Sequence, residues 1–359
     1  MTLLRKISLF QFRNYTQAAY ELTFPITCIS GKNGTGKTNL LDAIYTLCYT
    51  KSYFSATVQP TIMQGTEGYR IEGIFENEGK TDSVICKYKN AKKEISCSGL
   101  VYEKQSEHIG KFAAVMVAPD DIEMINDGSE LRRKFIDSIL SQCDKNYLEA
   151  LLQYQKVLQQ RNAWLKMYGT STATDASLID YYNSLLIPAG NYIFNSRKTF
   201  LNVFIPILQK YYTLLSDNQE TANIEYQSDL YSSTFEVWLE QHLQHDLRYQ
   251  RTLRGIHKDD LAFLLNGNPV KNYGSQGQKK SYLFSLKLAQ YEYLKSKMNS
   301  SPVLLLDDVF EKLDQQRMES LLKIIRNPIF GQVILTDTHE NRIRTAFGNE
   351  QEIGFINLV

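Results

Sequence analysis

The chain predicts an α/β fold in which a sheet domain is split in sequence by a largely helical insert. Three observations carry this. Strand-like runs with turns between them occupy roughly the first third of the chain. Long helical patterns fill the middle, at about 130–166 and 177–214. The end alternates apolar strands, PVLLLDD and QVILTD, with helical periodicity. A chain of 359 residues has room for about two domains and a sizeable core.

In order, residues 1–30 read as a hairpin with β-rich runs at 3–12 and 19–29. A helix is expected from about Thr38 to Tyr49. Residues 69–97 read as short strands with turns at Asn77–Lys80 and Asn90–Lys93. AAVMVAP (113–119) is a buried strand ending at Pro119. From 121 to about 250 helical patterns dominate, and GTSTATDAS between the two longest is a polar linker of turn-forming residues. Strand-like segments return near 258–266, followed by a helix at about 276–298. Then come the strand PVLLLDD, a helix at 314–326, the strand QVILTD and a last strand near 352–358. The boundaries implied are a discontinuous sheet lobe, 1–120 with 295–359, and a mainly helical lobe, 121–294. No internal repeat is visible.

The formal net charge is +1, so any nucleic-acid binding must come from local patches. The five cysteines are odd in number and form no C-x-x-C, which reads as reduced thiols in a reducing compartment. The N-terminus alternates like a strand and lacks the apolar core of a signal peptide. No stretch approaches the ~18 uninterrupted apolar residues of a membrane span. A soluble cytoplasmic protein without a membrane partner is the expectation.

The segment after FPITCIS narrows the class. GKNGTGKTN, Gly31 to Asn39, fits G-x-x-x-x-G-K-[ST]. Gly31, Gly34 and Gly36 let the backbone turn so that N–H groups point inward at phosphate oxygens. The helix that follows presents its positive end to the same point. Lys37 would reach the β- and γ-phosphates, and the Thr38 hydroxyl would take a place on Mg²⁺. With Lys32, Asn33 and Thr35, these residues are the candidate site for ATP. A Gly-rich turn that merely joins a strand to a helix is the plainer alternative.

Such a loop needs a carboxylate for the metal, and PVLLLDD supplies two. Asp307, at the strand end, would hold Mg²⁺ directly or through water. Asp308 would orient or deprotonate an attacking water. Taken alone, the pair also reads as a strand running out into solvent.

NYGSQGQKKSYLF poses a further question, because Ser275, Gln276, Gly277 and Gln278 open a helix with Lys279 and Lys280 just inside it. Lysines near a helix N-terminus are a poor choice unless something negative sits there. The order of glycine loop, helical insert, Ser-Gln-Gly-Gln and strand-Asp-Asp resembles the ATP-binding-cassette ATPases. In them this signature helix belongs to the helical lobe and meets ATP only when a second subunit docks head-to-tail. Ser275 offers a hydroxyl, Gly277 lets backbone N–H groups approach the γ-phosphate, and the helix dipole adds to both.

The resemblance then sharpens to the RecF family, recombinational-repair ATPases related to SMC heads. It runs through LFQFRNY (9–15), GKNGTGKTNLLDAIY (31–45), APDDIEMINDGSELRRKFID (118–137), QYQKVLQQRN (153–162), GIHKDDL (255–261), SQGQKK (275–280) and LLLDDVFEKLD (304–314). It implies an ABC-type P-loop ATPase head with no long coiled coil. It also implies an ATP-dependent homodimer whose slow hydrolysis is DNA-dependent. DNA at single-stranded gaps or duplex junctions would be its target. Recombinational repair, replication restart and SOS induction would be its setting, with RecR and RecO as partners. It further places Arg13 near the nucleotide and Leu313 and Asp314 in the D-loop that bridges two ATP sites. The family often has Gly-Pro-His-Arg-Asp-Asp at 255–260 and Ser-Glu-Leu-Asp at 311–314. Here Lys258 loses a bidentate fork and Lys312 reverses a charge. The switch position after QVILT lies at Asp337, Thr338 or His339, and no Q-loop glutamine stands out.

His257, alone in a polar turn, reads as structural or, less simply, catalytic. Arg132 and Arg133 read either as DNA contacts, with Lys279 and Lys280, or as pairs tied to acids such as Asp127, Glu130 and Asp137. The 23 tyrosines suggest either base-stacking platforms or ordinary packing. Other function classes compete. An SMC-type structural head would need a long heptad insert, and roughly 130 residues with a polar break fall short of one. A P-loop kinase would not need Ser-Gln-Gly-Gln or a dimer. A transporter ATPase does not match the flanking segments.

Overall fold

Apolar alternation builds the first layer of the computed structural model, which describes residues 2–168, 177–216, 220–298, 300–312, 315–348 and 353–359. β1 (Thr2–Phe12) buries Leu4, Ile7, Leu9 and Phe12 and pairs antiparallel with β2 (Tyr15–Glu21). The expected strand at 19–29 is the end of β2 and, after Pro25, a separate strand β3 (Ile26–Gly31) in another sheet. Proline lacks the N–H that would carry one ladder through. α1 (Lys37–Tyr49) is apolar on nearly every side and is correspondingly buried. β4 (Tyr69–Asn77), β5 (Lys80–Lys89), β6 (Lys92–Cys97) and β7 (Leu100–Val101) complete the antiparallel sheet, in the order β2-β1-β4-β5-β6-β7. Glu78 with Gly79, and Asn90 with Ala91, take the left-handed backbone that tight hairpin turns require. β8 (Ala114–Val117) is fully buried.

Helices follow: α2 (Glu123–Asn126), α3 (Ser129–Cys143), α4 (Lys145–Tyr168) and α5 (Ser177–Leu215). The pattern at 130–166 is thus two helices. Asp144 is extended between them, and its carboxylate accepts from the Asn146 N–H, ending one helix and starting the next. Most of the linker GTSTATDAS lies outside the described residues. β9 (Ala222–Gln227) was not expected from the sequence, and α6 (Phe235–Gln241) and α7 (Leu243–Tyr249) fall in the stretch read as helical without being singled out there. Next come β10 (Asp260–Leu265), β11 (Asn268–Pro269) and α8 (Val270–Tyr273), then α9 (Gln276–Lys297). β12 (Val303–Leu306), α10 (Gln315–Ile325), β13 (Gln332–Asp337), α11 (Glu340–Phe347) and β14 (Ile353–Leu358) close the chain. The parallel sheet they form has the order β14-β3-β13-β12-β8.

Two compact units result. The first holds Met1–Ile122, Lys210–Gln219 and Ser275–Val359. Its core is α1 with the facing sides of both sheets, including Leu40, Leu41, Ile44, Ile71, Phe75, Leu305 and Ile334. The second holds Glu123–Gln209 and Glu220–Gly274, that is α2–α4, α5 as far as Gln209, and α6–α8, with the small sheet β11-β10-β9. The sequence reading drew boundaries at 120 and 294, whereas the units divide at Ile122 and Gly274. α9 therefore belongs to the sheet unit, where it packs against β8. Among the described residues no helix is long and apolar enough to cross a membrane.

The second unit carries a buried polar core. Arg197, on α5, pairs with Asp137 at 2.9 Å and Asp259 at 3.1 Å, with Tyr147 and Tyr226 donating to the same acids. Arg161, fully buried on α4, pairs with Asp246 at 2.7 Å and donates to the Thr252 hydroxyl at 2.6 Å. Buried charges persist only when so paired. His257 joins this core, consistent with its structural reading. Its Nε2–H donates to the Thr252 carbonyl at 3.0 Å, leaving Nδ1 to accept from the Tyr154 hydroxyl at 2.8 Å. Burial pushes the imidazole down to about 4.

A folded value below the ordinary 6.5 means the unfolded chain takes the proton first. The stability His257 contributes is therefore complete above pH 6.5 and is lost as pH falls toward 4. The loss should be on the order of 2–3 kcal/mol. Urea midpoints measured from pH 7.5 down to 4.5 should fall more steeply in the wild type than in His257→Gln. Parallel slopes would remove His257 as the source.

Candidate nucleotide site

Three neighbouring parallel strands, β3, β13 and β12, end side by side, the place where open α/β sheets bind ligands. β3 runs into the glycine loop and α1 leaves it at Lys37. Gly36 has φ +109°, and a Cβ there would lie 2.7 Å from the Asn14 side chain. Only glycine satisfies both constraints. No acidic residue occupies the first turn of α1, so none of its own side chains offsets its N-terminal partial charge. The Lys37 ammonium crosses the loop and donates to the carbonyls of Gly31 at 2.9 Å and Lys32 at 3.3 Å.

Thr38 and Asp307 stand 269 residues apart in sequence and meet here. The Thr38 hydroxyl lies 2.9 and 3.0 Å from the two Asp307 carboxylate oxygens. Thr336, at the end of β13, donates to Asp307 at 2.9 Å and accepts from the Asp308 N–H at 2.8 Å. Burial raises the Asp307 carboxyl to about 6, against hydrogen bonds from Thr336 and Thr38 that lower it, while the neighbouring Asp308 raises it. A desolvated carboxylate beside a threonine hydroxyl is an all-oxygen donor pair suited to a hard divalent cation. Asp308 has φ +45°, a left-handed backbone that strains most residues bearing a side chain but that aspartate tolerates better than most.

The FRNY turn braces this loop, which the sequence reading did not foresee. Asn14 donates to the Thr35 carbonyl at 3.1 Å and accepts from Asn39 at 2.8 Å, and the Tyr15 hydroxyl donates to the Gly36 carbonyl at 3.0 Å. Arg13, expected near the nucleotide, forms an ion pair with α1. Its Nε and Nη2 both donate to Asp42, at 2.9 and 2.6 Å, and Nη2 also reaches Ser52 and Ser55. Asp42 is fully buried in α1 and needs that partner.

At the start of α9, Ser275 and Gln278 form a reciprocal capping box. The Ser275 N–H donates to Gln278 Oε1 at 2.6 Å, and the Gln278 N–H donates to Ser275 Oγ at 3.2 Å. The S-x-x-Q spacing was the available signal for it. Ser275 and Gln276 are exposed, while Gly277, Lys279 and Lys280 are partly so. The Arg317 guanidinium lies flat against Gly277, where a Cβ would come within 2.9 Å of three of its atoms, and its Nε donates to Ser281 at 2.9 Å. Nothing in the local spacing of Arg317 announced that contact.

The profile described as RecF/RecN/SMC N terminal domain matches residues 3–354. The DNA replication and repair protein RecF of Flavobacterium johnsoniae is 41% identical over 340 residues, 94% of this chain and 95% of that protein. The chain belongs to the RecF family. The Cytophaga hutchinsonii RecF is 41% identical over 344 residues, 96% of this chain and 91% of that one. A solved structure of the recombination mediator protein RecF-ATP in the RecFOR pathway superposes with a TM-score of 0.87 at 30% identity, over 94% of this chain and 92% of that one. An Smc head domain from Pyrococcus furiosus, at 15% identity and a TM-score of 0.56, shares the fold alone. The ABC-type ATPase head expected from the motif order is thus the fold of this RecF-family chain.

Of the two readings left open for Arg132 and Arg133, the geometry of this RecF-family chain favours tied pairs. Arg132 is buried, forks onto Asp260 at 2.7 and 2.8 Å and donates to the carbonyls of Met124 and Asp127. Arg133 donates to the Asp259 carbonyl at 2.6 Å and to Ser129 at 2.5 Å. Both arginines fasten α3 to the start of β10, the geometry of tied pairs rather than of a DNA patch; the acid of Arg132 is Asp260, a partner too distant in sequence to have been anticipated. Leu313 and Asp314 lie outside the described residues. Of the switch candidates, Asp337 is buried and accepts from the His339 N–H at 2.7 Å, whereas the His339 side chain is exposed and meets the Thr338 hydroxyl at 2.8 Å.

Proposed function

We propose that this protein binds ATP, dimerises on it, and in that state holds DNA at single-stranded gaps or duplex junctions. Slow hydrolysis then opens the dimer. The observation that carries the reading is the junction of Thr38 with Asp307 beneath the glycine loop. Lys37 would turn from the Gly31 carbonyl to the β- and γ-phosphates. Mg²⁺, when bound, would be held by Thr38 and Asp307 and would neutralise charge on those phosphates. Asp308 would orient the attacking water and take up its proton. The exposed cap at Ser275 supports a second role for that turn, as a contact for the nucleotide of a partner subunit. Lys279 and Lys280, partly exposed just inside α9, would supply phosphate contacts. Recombinational repair, replication restart and SOS induction, with RecR and RecO as partners, is the setting that family membership favours.

Asp308→Asn tests the reading. Its amide cannot accept the proton, so hydrolysis should slow by about 10²-fold, within the range for general-base loss, while ATP binding is kept. Wild type should hold gapped DNA only with ATP, and the variant should hold it longer. DNA binding that is indifferent to nucleotide in both proteins would refute the proposal.

A further inference from the structure

The glycine loop is held from outside as well as by its own turn. Asn14 donates to the Thr35 carbonyl at 3.1 Å, and its Oδ1 is fixed by Asn39 at 2.8 Å. Tyr15 donates to the Gly36 carbonyl at 3.0 Å, a carbonyl that also accepts the first helical bond from Leu40 at 2.9 Å. The described peptide bonds contain no cis linkage. In a planar trans peptide the C=O and the next residue's N–H point in opposite directions. Drawing the Thr35 carbonyl toward Asn14 therefore turns the Gly36 N–H to the opposite side. Drawing the Gly36 carbonyl toward Tyr15 and Leu40 does the same for the Lys37 N–H. Those are two of the N–H groups that a phosphate nest uses. Burial pushes the Tyr15 phenol above its ordinary range, so it stays a proton donor at any working pH.

We propose that Asn14 and Tyr15 are positioning residues for the phosphate cradle, acting through the Thr35 and Gly36 carbonyls to aim the Gly36 and Lys37 N–H groups at the nucleotide phosphates. The inference rests on the nucleotide reading of the loop. It also assigns the FRNY segment a mechanical part distinct from that of Arg13, which braces Asp42 instead. A loop left to its own turn would rotate these peptides before binding, and the ligand's affinity would fall by the work of reorienting them.

The test compares ATP, ADP and AMP by titration calorimetry on wild type, Tyr15→Phe, Asn14→Ala and Asn14→Asp. Tyr15→Phe removes one hydroxyl from a packed ring and should leave the fold intact. Asn14→Asp keeps the side-chain volume and removes the donor. Each variant should lose roughly threefold to tenfold in affinity for ATP and ADP, the scale of one hydrogen bond. AMP, with no β-phosphate to fill the nest, should bind as it does to wild type. Asn14→Asp should lose most, because its carboxylate repels the Thr35 carbonyl. An equal loss for all three nucleotides, or no loss for ATP in any variant, would overturn the proposal. Wild type binding none of the three would overturn the nucleotide reading and this inference with it.

Discussion

Lys37→Ala should abolish productive ATP binding while leaving the protein folded. The Lys37 ammonium makes two hydrogen bonds, both to carbonyls of its own loop, and no acid pairs with it within salt-bridge distance among the described residues. Its removal breaks no ion pair, and Asp307, whose carboxylate the Lys37 charge favours, keeps its hydrogen bonds from Thr38 and Thr336. What is lost is the charge that would meet the β- and γ-phosphates. Charge-assisted hydrogen bonds contribute about 1.5–3 kcal/mol each. Losing two should cost on the order of 3–6 kcal/mol, or roughly two to four powers of ten in affinity. Calorimetric titration with ATP, beside a melting curve of the unliganded protein, checks both halves. A folded variant that binds ATP within a few fold of wild type would mean the loop does not work as a phosphate site.

That the loop could be read at all follows from how local its chemistry is. Gly31 to Thr38 are eight consecutive residues, and their constraints lie in each other's backbone. The same holds for the cap at Ser275, whose partner is three residues away. The FRNY turn is different. Asn14 and Tyr15 act on carbonyls 21 residues further on, through a pairing set by the packing of two sheets around α1. Arg132 was ambiguous for a similar reason. Its partner Asp260 lies 128 residues away, and nearby acids competed for it on the page. The segments QYQKVLQQRN and GIHKDDL were legible as resemblance but not as chemistry. In the fold they supply Arg161, Asn162, His257 and Asp259 to one buried polar core. The elements missed or not singled out are short. α6 and α7 have seven residues each and α11 has eight, too few turns for helical periodicity to separate from chance. β9 alternates buried and exposed over only six residues.

Ser275→Arg should leave ATP binding to the monomer intact and eliminate the ATP-dependent dimer. Ser275 caps α9 with its hydroxyl on the Gln278 N–H and is exposed beyond that contact. In the proposed assembly this turn faces the γ-phosphate held by the partner's glycine loop. Nucleotide bound between two subunits stabilises the dimer and not the monomer, so mass action drives association. An arginine at 275 puts a long side chain into that contact and also removes the cap, at a cost of about 1 kcal/mol. The second effect is separable. Ser275→Asn keeps a good capping residue while changing the size and polarity of the group offered to the phosphate. Ser275→Asn should therefore melt with wild type and dimerise more weakly. Ser275→Arg should melt slightly earlier and show at least a hundredfold weaker dimer, about 2.7 kcal/mol by the affinity scale. Light scattering with a slowly hydrolysed ATP analogue, with and without gapped DNA, reads the outcome. Wild type that remains monomeric at saturating analogue with DNA present, or Ser275→Arg that dimerises as wild type does, would exclude Ser275 from any contact between subunits.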